Sequence, residues 1–298
     1  MASTLSSENQ FVIDLLTTLR DEKCSPAAWA RFLARSWEMS RHTARANPDL
    51  KRSWRRVSLT LGALALALLI ASFGLEGPTI ALRLLPGFLF CVAWQINDLY
   101  WHLGLNRKTE TGTLLPVIGA ANFCTQLRGL AASFLLGRLV GGVPTPTALI
   151  LLVFVCGIVT DILDGQIAHR TSTQSKLGQI TDSEADFCLY LAVTVMLMQN
   201  SILPLWAGML MLARFLLPLL AAFASYFIFA HPVRFGSTIW GKYAGLAQCL
   251  YFLVLLAPPQ LVAITRPVNF PLLVITLALM IAAPTAQIAR NVRQEKRS

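Results

Sequence analysis

The segment Asp161-Ile-Leu-Asp164-Gly165-Gln-Ile-Ala168-His169-Arg170, continued after a short polar run by Gly178-Gln-Ile-Thr-Asp182-Ser-Glu184-Ala-Asp186, places four aspartates where two long apolar runs meet. Carboxylates at the margin of a hydrocarbon layer are costly, by about 2.5 to 3.5 kcal/mol each even on the gentlest scale, and so mark function by default. At 100° per residue, Asp161, Asp164, Gly165 and Ala168 share one helix face, and Gly178, Asp182 and Asp186 form a stripe on the next helix. Two such stripes can face each other. Four negative charges held that closely repel unless something cationic sits among them. A hard divalent cation suits an all-oxygen donor set, and small residues beside it leave room for a phosphate-bearing ligand. Carboxylates, metal and phosphate together point to phosphoryl chemistry, in which one carboxylate can deprotonate an attacking hydroxyl.

The rest of the chain sets this cluster in a membrane. Of its 298 residues 55% are hydrophobic and only 13% charged, about half the charged share of an ordinary globular domain. That composition excludes disorder and, with six cysteines spread over the whole length, a disulfide scaffold. Apolar stretches near 57 to 75, 82 to 100, 119 to 140, 145 to 164, 180 to 200, 203 to 228, 240 to 257 and 270 to 289 are each long enough to approach the roughly 20 residues a helical span needs. The expected fold class is therefore an all-α integral membrane protein with eight spans. No secretory signal is read at the amino end, where the cluster Phe11 to Leu19 is short and interrupted by Asp14.

Net charge is +10, from 25 Lys and Arg against 15 Asp and Glu. On a polar chain this would suggest nucleic acid, but the positive-inside rule accounts for it otherwise. Eight spans return both termini to one side, and 21 of the 25 cations then fall on the cytosolic side, with Arg83, Arg138, Arg214 and Arg266 as exceptions. The expected location is a bacterial inner membrane or an internal membrane of a eukaryote, with cytosolic termini and no nucleic-acid partner. Residues 1–56 form a cytosolic basic arm in which Ser25-Pro26 is a helix start. Trp29, Phe32, Leu33 and Trp37 recur there at helical spacing, which fits a helix lying on an anionic membrane surface or one packed on the protein itself or on a partner subunit. Cys91, Cys124, Cys156, Cys188 and Cys249 fall within spans as packing residues, and the four histidines form no zinc pattern. Only His169 among them is expected to matter.

The acidic segment resembles the signature of the CDP-alcohol phosphotransferases (CDP-alcohol phosphatidyltransferases), D-x2-D-G-x2-A-R-x8-G-x3-D-x3-D. Asp161, Asp164, Gly165, Ala168, Gly178, Asp182 and Asp186 match with every spacing intact. Asn122-Phe-Cys-Thr125-Gln-Leu-Arg128 is similar to the family's N-x-x-T-x-x-R opening of the first core helix, and Gly241-Lys242 to the Gly-Lys pair at its fifth. The resemblance covers 119–289. It implies a six-helix catalytic core over that range, preceded by two additional transmembrane helices at 57–100 and a connector at 101–118, and followed by a basic tail at 290–298.

The resemblance further implies transfer of a phosphate-linked group from a CDP-alcohol to an acceptor alcohol with release of CMP, in phospholipid synthesis, by a homodimer at the cytosolic membrane face. Asp161, Asp164, Asp182 and Asp186 would hold Mg2+ or Mn2+, as two ions, and Asp186 would also be the general base. Gly165, Ala168, Gly178, Asn122, Thr125, His169 and Arg170 would contact the nucleotide. Arg128, Arg214 and Lys242 are candidates for an acceptor phosphate. His169 stands where the signature has arginine, with Arg170 immediately after it. Residues 170–178 are closer to the connector of aminoalcohol-type relatives, and Phe187 stands where glycerophosphate-using members carry lysine. CDP-diacylglycerol is the expected donor and a CDP-aminoalcohol the alternative. Outside this class, a cation transporter or a silent scaffold would also place acids in a membrane, although a transporter favours the midplane and internal repeats.

Overall fold

The computed structural model describes residues 16–227 and 239–295. Expectations for the first 15 residues, for Arg234 and for the tail beyond 295 lie outside them. The described elements are helical: α1 (Pro26–Ala46), α2 (Pro48–Glu76), α3 (Pro78–Trp101), α4 (Ala120–Val140), α5 (Thr147–Thr171), α6 (Lys176–Gln199), α7 (Leu205–Phe227), α8 (Ile239–Leu255) and α9 (Val262–Glu295). Each expected span falls on one of these helices. Four candidate spans are long and apolar enough to cross a membrane, Pro48–Glu76, Pro78–Trp101, Thr147–Thr171 and Pro259–Thr285, and shorter apolar helices cover Leu205–Leu217 and Ile239–Leu255. This is a multi-pass membrane protein. α4 and α6, with 21 and 24 residues, also have the length of a span, but the polar residues of the site lower their hydropathy.

The chain forms two compact units. The first comprises Met1–Val143 and Cys156–Leu189, and the second Pro144–Val155 and Tyr190–Ser298. In the first unit the basic arm is a folded element. Ser25 caps α1 by accepting from the Ala28 N–H at 3.2 Å, with Pro26 in the first turn. α1 then docks on the end of α3: the Trp101 indole donates to Ser36 Oγ at 2.7 Å, the Ser40 hydroxyl donates to the Trp101 carbonyl, and Trp37 packs on Tyr100 and Trp101. Of the two readings of the arm, packing on the protein holds for this face, and Trp29 and Leu33 remain exposed. No proline or glycine interrupts 49–57, so Lys51, Arg52, Arg55 and Arg56 form the first turns of α2 itself.

α2 and α3 turn on Gly77, whose φ of +92° favours glycine, and Pro78 begins the next helix. α3 then packs closely on α4. A Cβ on Gly137 would lie 2.6 Å from the Phe88 side chain and 2.8 Å from its backbone, so glycine is what permits this approach. Further along, the Gln95 amide donates to the Gln126 carbonyl at 2.7 Å. Arg138, an exception to the charge rule, is fully buried and makes two bonds to Glu76, at 2.7 and 2.8 Å.

The second unit has its own aromatic core. Phe154 meets Tyr190 at 5.6 Å and Phe252 at 5.8 Å, and Tyr190 meets Phe215 at 5.8 Å. Leu205, Met209, Leu220, Ile264 and Phe270 point outward, as helices facing lipid must.

Candidate active site

The four signature aspartates converge on one side chain. Arg128 of α4 is 1% exposed, and its guanidinium donates to all four carboxylates. Nη1 reaches Asp161 and, at 2.6 Å, Asp186; Nη2 reaches Asp164 at 2.6 Å and Asp182. Three helical segments within the first unit supply this centre: α4 the cation, the second half of α5 Asp161 and Asp164, and the first half of α6 Asp182 and Asp186. The expectation that a cation must sit among the carboxylates is met by Arg128 itself. Arg128 was expected at an acceptor phosphate, and the structure places its two terminal nitrogens on the aspartates.

Four carboxylates against one guanidinium leave a formal excess of three negative charges. The carboxylates are not equivalent. Asp161, Asp182 and Asp186 each offer an oxygen within 4.8 Å of the others, and their side chains are 52%, 42% and 37% exposed. Asp164 is 11% exposed and also accepts from the Thr125 hydroxyl at 2.9 Å. A hard, solvent-accessible, three-carboxylate donor set fits Mg2+ or Mn2+. Asp164 is the member most firmly oriented by the protein.

The N-x-x-T-x-x-R residues stand behind the carboxylates. Thr125 fixes Asp164, and Asn122, 6% exposed, donates to Asn106 Oδ1 at 3.4 Å and Ser175 Oγ at 3.3 Å. Both were expected at the nucleotide, but both are buried and engaged with protein groups. The two glycines also divide. A Cβ on Gly165 would meet nothing within 4 Å, so this face stays open for a ligand, whereas a Cβ on Gly178 would lie 2.6 Å from Asn122 Oδ1. Gly178, expected to leave space for nucleotide, makes room for Asn122 in the structure. Ala168 is half-buried, and His169 and Arg170 are exposed at the end of α5. Arg214 and Lys242 belong to the second unit, where Arg214 donates to Gln248 at 2.9 Å and lies over the Phe215 ring. Lys242 is exposed.

Sequence reasoning missed two groups. Asn106 is fully buried and donates to the carbonyls of Leu115 and Val117 at 3.1 and 3.0 Å, which shapes the connector against Asn122. A lone asparagine in a polar loop gives no sign of this. The second is His102, which pairs with Asp98 at 3.2 Å and lies with Glu184 in a cluster of facing ligand atoms. The signal was the i, i+4 spacing of Asp98 and His102 at a helix end.

Burial disfavours the His102 imidazolium, but the hydrogen bond and charge of Asp98 and the charge of Glu184 outweigh it and raise its pKa above the usual value. A raised native pKa contributes stability that is full below the unfolded value of about 6.5 and is lost as pH rises through the native one. The melting temperature of the purified protein is accordingly expected to fall as pH rises from about 6.5, and His102→Gln should flatten that slope. An unchanged slope in the variant would show that His102 does not contribute it.

The comparisons with known proteins include one family match that covers the four-aspartate centre. The CDP-alcohol phosphatidyltransferase family matches residues 119–283. The cardiolipin synthase (CMP-forming) of Streptomyces coelicolor is 40% identical over 73 residues, 24% of this chain and 34% of that protein, so the similarity spans about a third of the relative's length. No solved structure matches. The family match takes in more than half of the chain, including Arg128 and all four aspartates it binds, and the chain belongs to the CDP-alcohol phosphatidyltransferase family.

Proposed function

We propose that the chain transfers a phosphatidyl group from CDP-diacylglycerol to the hydroxyl of an acceptor alcohol, releasing CMP. The observation that carries this reading is the set of three accessible carboxylates, Asp161, Asp182 and Asp186, held beside a fourth by one buried arginine. In the reaction, the acceptor oxygen bonds to the lipid-side phosphorus, the bond from that phosphorus to the CMP oxygen breaks, and the acceptor proton passes to Asp186. Asp161, Asp182 and Asp186, with Asp164 behind them, would hold the divalent cation. Bound there, Mg2+ or Mn2+ neutralises charge on the transferring and leaving phosphates. Arg128 keeps the four carboxylates gathered, Thr125 aims Asp164, and the open face at Gly165 admits the nucleotide. Asp161 and Asp164 lie in the second half of α5 and Asp182 and Asp186 in the first half of α6, on the side of the loop that joins the two helices, and the cytosolic placement of that loop rests on the charge distribution.

The relative's name, cardiolipin synthase (CMP-forming), supports a glycerol-headgroup phospholipid as acceptor. The second reading is a CDP-aminoalcohol donor, which the run from Arg170 to Gly178 favours. Purified protein in mixed micelles with Mg2+ or Mn2+, given either CDP-diacylglycerol and one of phosphatidylglycerol, glycerol 3-phosphate or an aminoalcohol, or a CDP-aminoalcohol and diacylglycerol, separates these readings through CMP and the lipid product. Release with phosphatidylglycerol is expected. Activity only with a CDP-aminoalcohol and diacylglycerol would replace the donor assignment, and no CMP from any combination would contradict the enzymatic reading.

A further inference from the structure

The connector between α3 and α4 lies outside the segment matched to the family, yet it is paired to the loop joining the two signature helices. The Thr109 N–H donates to the Gln174 carbonyl at 3.0 Å and the Lys176 N–H to the Arg107 carbonyl at 3.1 Å, with an antiparallel bridge between Lys108 and Ser175. The connector is itself tightly folded. Lys108 donates from its backbone to the Thr113 carbonyl at 3.0 Å, the Arg107 guanidinium donates to the carbonyls of Gly104 and Gly112 at 3.2 and 3.0 Å, and Gly112 takes a φ of +69°. These bonds fix the Lys108 backbone without using its ammonium group.

An open cavity of about 100 Å3 lies between the two loops, with Lys108, Thr109 and Glu110 on one wall and Ala168, His169, Ser172 and Gln174 on the other. Ala168 and His169 are the signature positions where a small residue and then an arginine are expected. The histidine leaves the α5 wall without a permanent charge, since Arg170 is not among the lining residues. Lys108 supplies one from the opposite wall. A phosphate group of a nucleoside diphosphate reaching into this cavity would bring negative charge, which an ammonium on a flexible stem can meet as a point charge while the Glu110 carboxylate on the same wall stays clear of it.

We propose that Lys108 binds the phosphates of the CDP-linked donor, taking from the connector the charge that the signature places at position 169. This rests on the donor assignment made above. It also gives the extension before the family core a role in the site, because the wall it builds is one the core segment lacks.

Two readouts test it: binding of CDP to the purified protein in Mg2+, followed by calorimetry, and CMP release at varied CDP-diacylglycerol. Lys108→Ala is expected to weaken CDP binding and raise the donor KM by about tenfold or more, the worth of one hydrogen bond to a charged group, with kcat changed little. Lys108→Arg should keep most of the affinity, and His169→Arg in the Lys108→Ala background should restore it. A merely structural role would lower kcat and melting temperature together and would not respond to His169→Arg. Wild-type protein that binds CDP and releases CMP, beside a Lys108→Ala variant with unchanged affinity and KM, would overturn this proposal alone. Wild-type protein that neither binds CDP nor releases CMP would overturn the donor assignment and this proposal with it.

Discussion

Asp186→Asn is expected to lower CMP release by about 100- to 10,000-fold, the usual contribution of a positioned general base, while the melting temperature changes little. Asparagine keeps the size of the side chain and an oxygen that can still accept from Arg128 Nη1, which lies 2.6 Å from the Asp186 carboxylate. It cannot take the acceptor proton. Asp186 is accessible enough to meet an acceptor, at 37% exposure, and stands with Asp161 and Asp182 in one cluster of facing oxygens. Asn at 161 or 182 should instead weaken metal dependence first, so that raising Mg2+ recovers part of the rate. Near-wild-type turnover by Asp186→Asn would remove the base from the mechanism, and full recovery by Mg2+ would make Asp186 a ligand only.

Arg128→Met should have the largest effect on stability. Methionine fills much of the same volume but leaves four carboxylates without the cation that all of them share. Removing one partner of a buried ion pair costs about 3 to 5 kcal/mol. The cost here belongs near the low end of that range, because three of the four aspartates reach solvent and can be screened. The expected signature is a melting temperature that falls in chelator and recovers in Mg2+ by more than the wild-type protein gains, since a ligand that binds only the folded state stabilises it by mass action. Arg128→Lys should lie between the two, because a point charge replaces a planar fork. A variant as stable as wild type in chelator would mean that the arginine does not gather the carboxylates.

The sequence made the helices and the carboxylates legible for different reasons. Helices were visible because a membrane-crossing segment writes its length and apolarity into consecutive residues, and each expected span lies on a helix. The aspartates were visible because acids are scarce in this chain and these fall at fixed helical spacing. Arg128 was legible as a motif position but not as the hub, since its role depends on side chains from three helices meeting at one point. The pairing of Arg138 with Glu76, 62 residues apart, was hidden for the same reason. So was the connector, whose backbone bonds to Gln174 and Lys176 join stretches with no patterning of their own. Gly165 and Gly178 look alike as letters, and only the neighbours of a Cβ built at each separate an open face from a close contact.

The most direct test of the central claim is stoichiometric. Purified protein incubated with CDP-diacylglycerol and phosphatidylglycerol in Mg2+ should release one CMP for each new phosphodiester lipid, stop on chelation and resume when the metal is restored. CMP release that is unaffected by chelation, or no CMP with either Mg2+ or Mn2+, would contradict a metal-dependent phosphatidyl transfer at the four-aspartate centre.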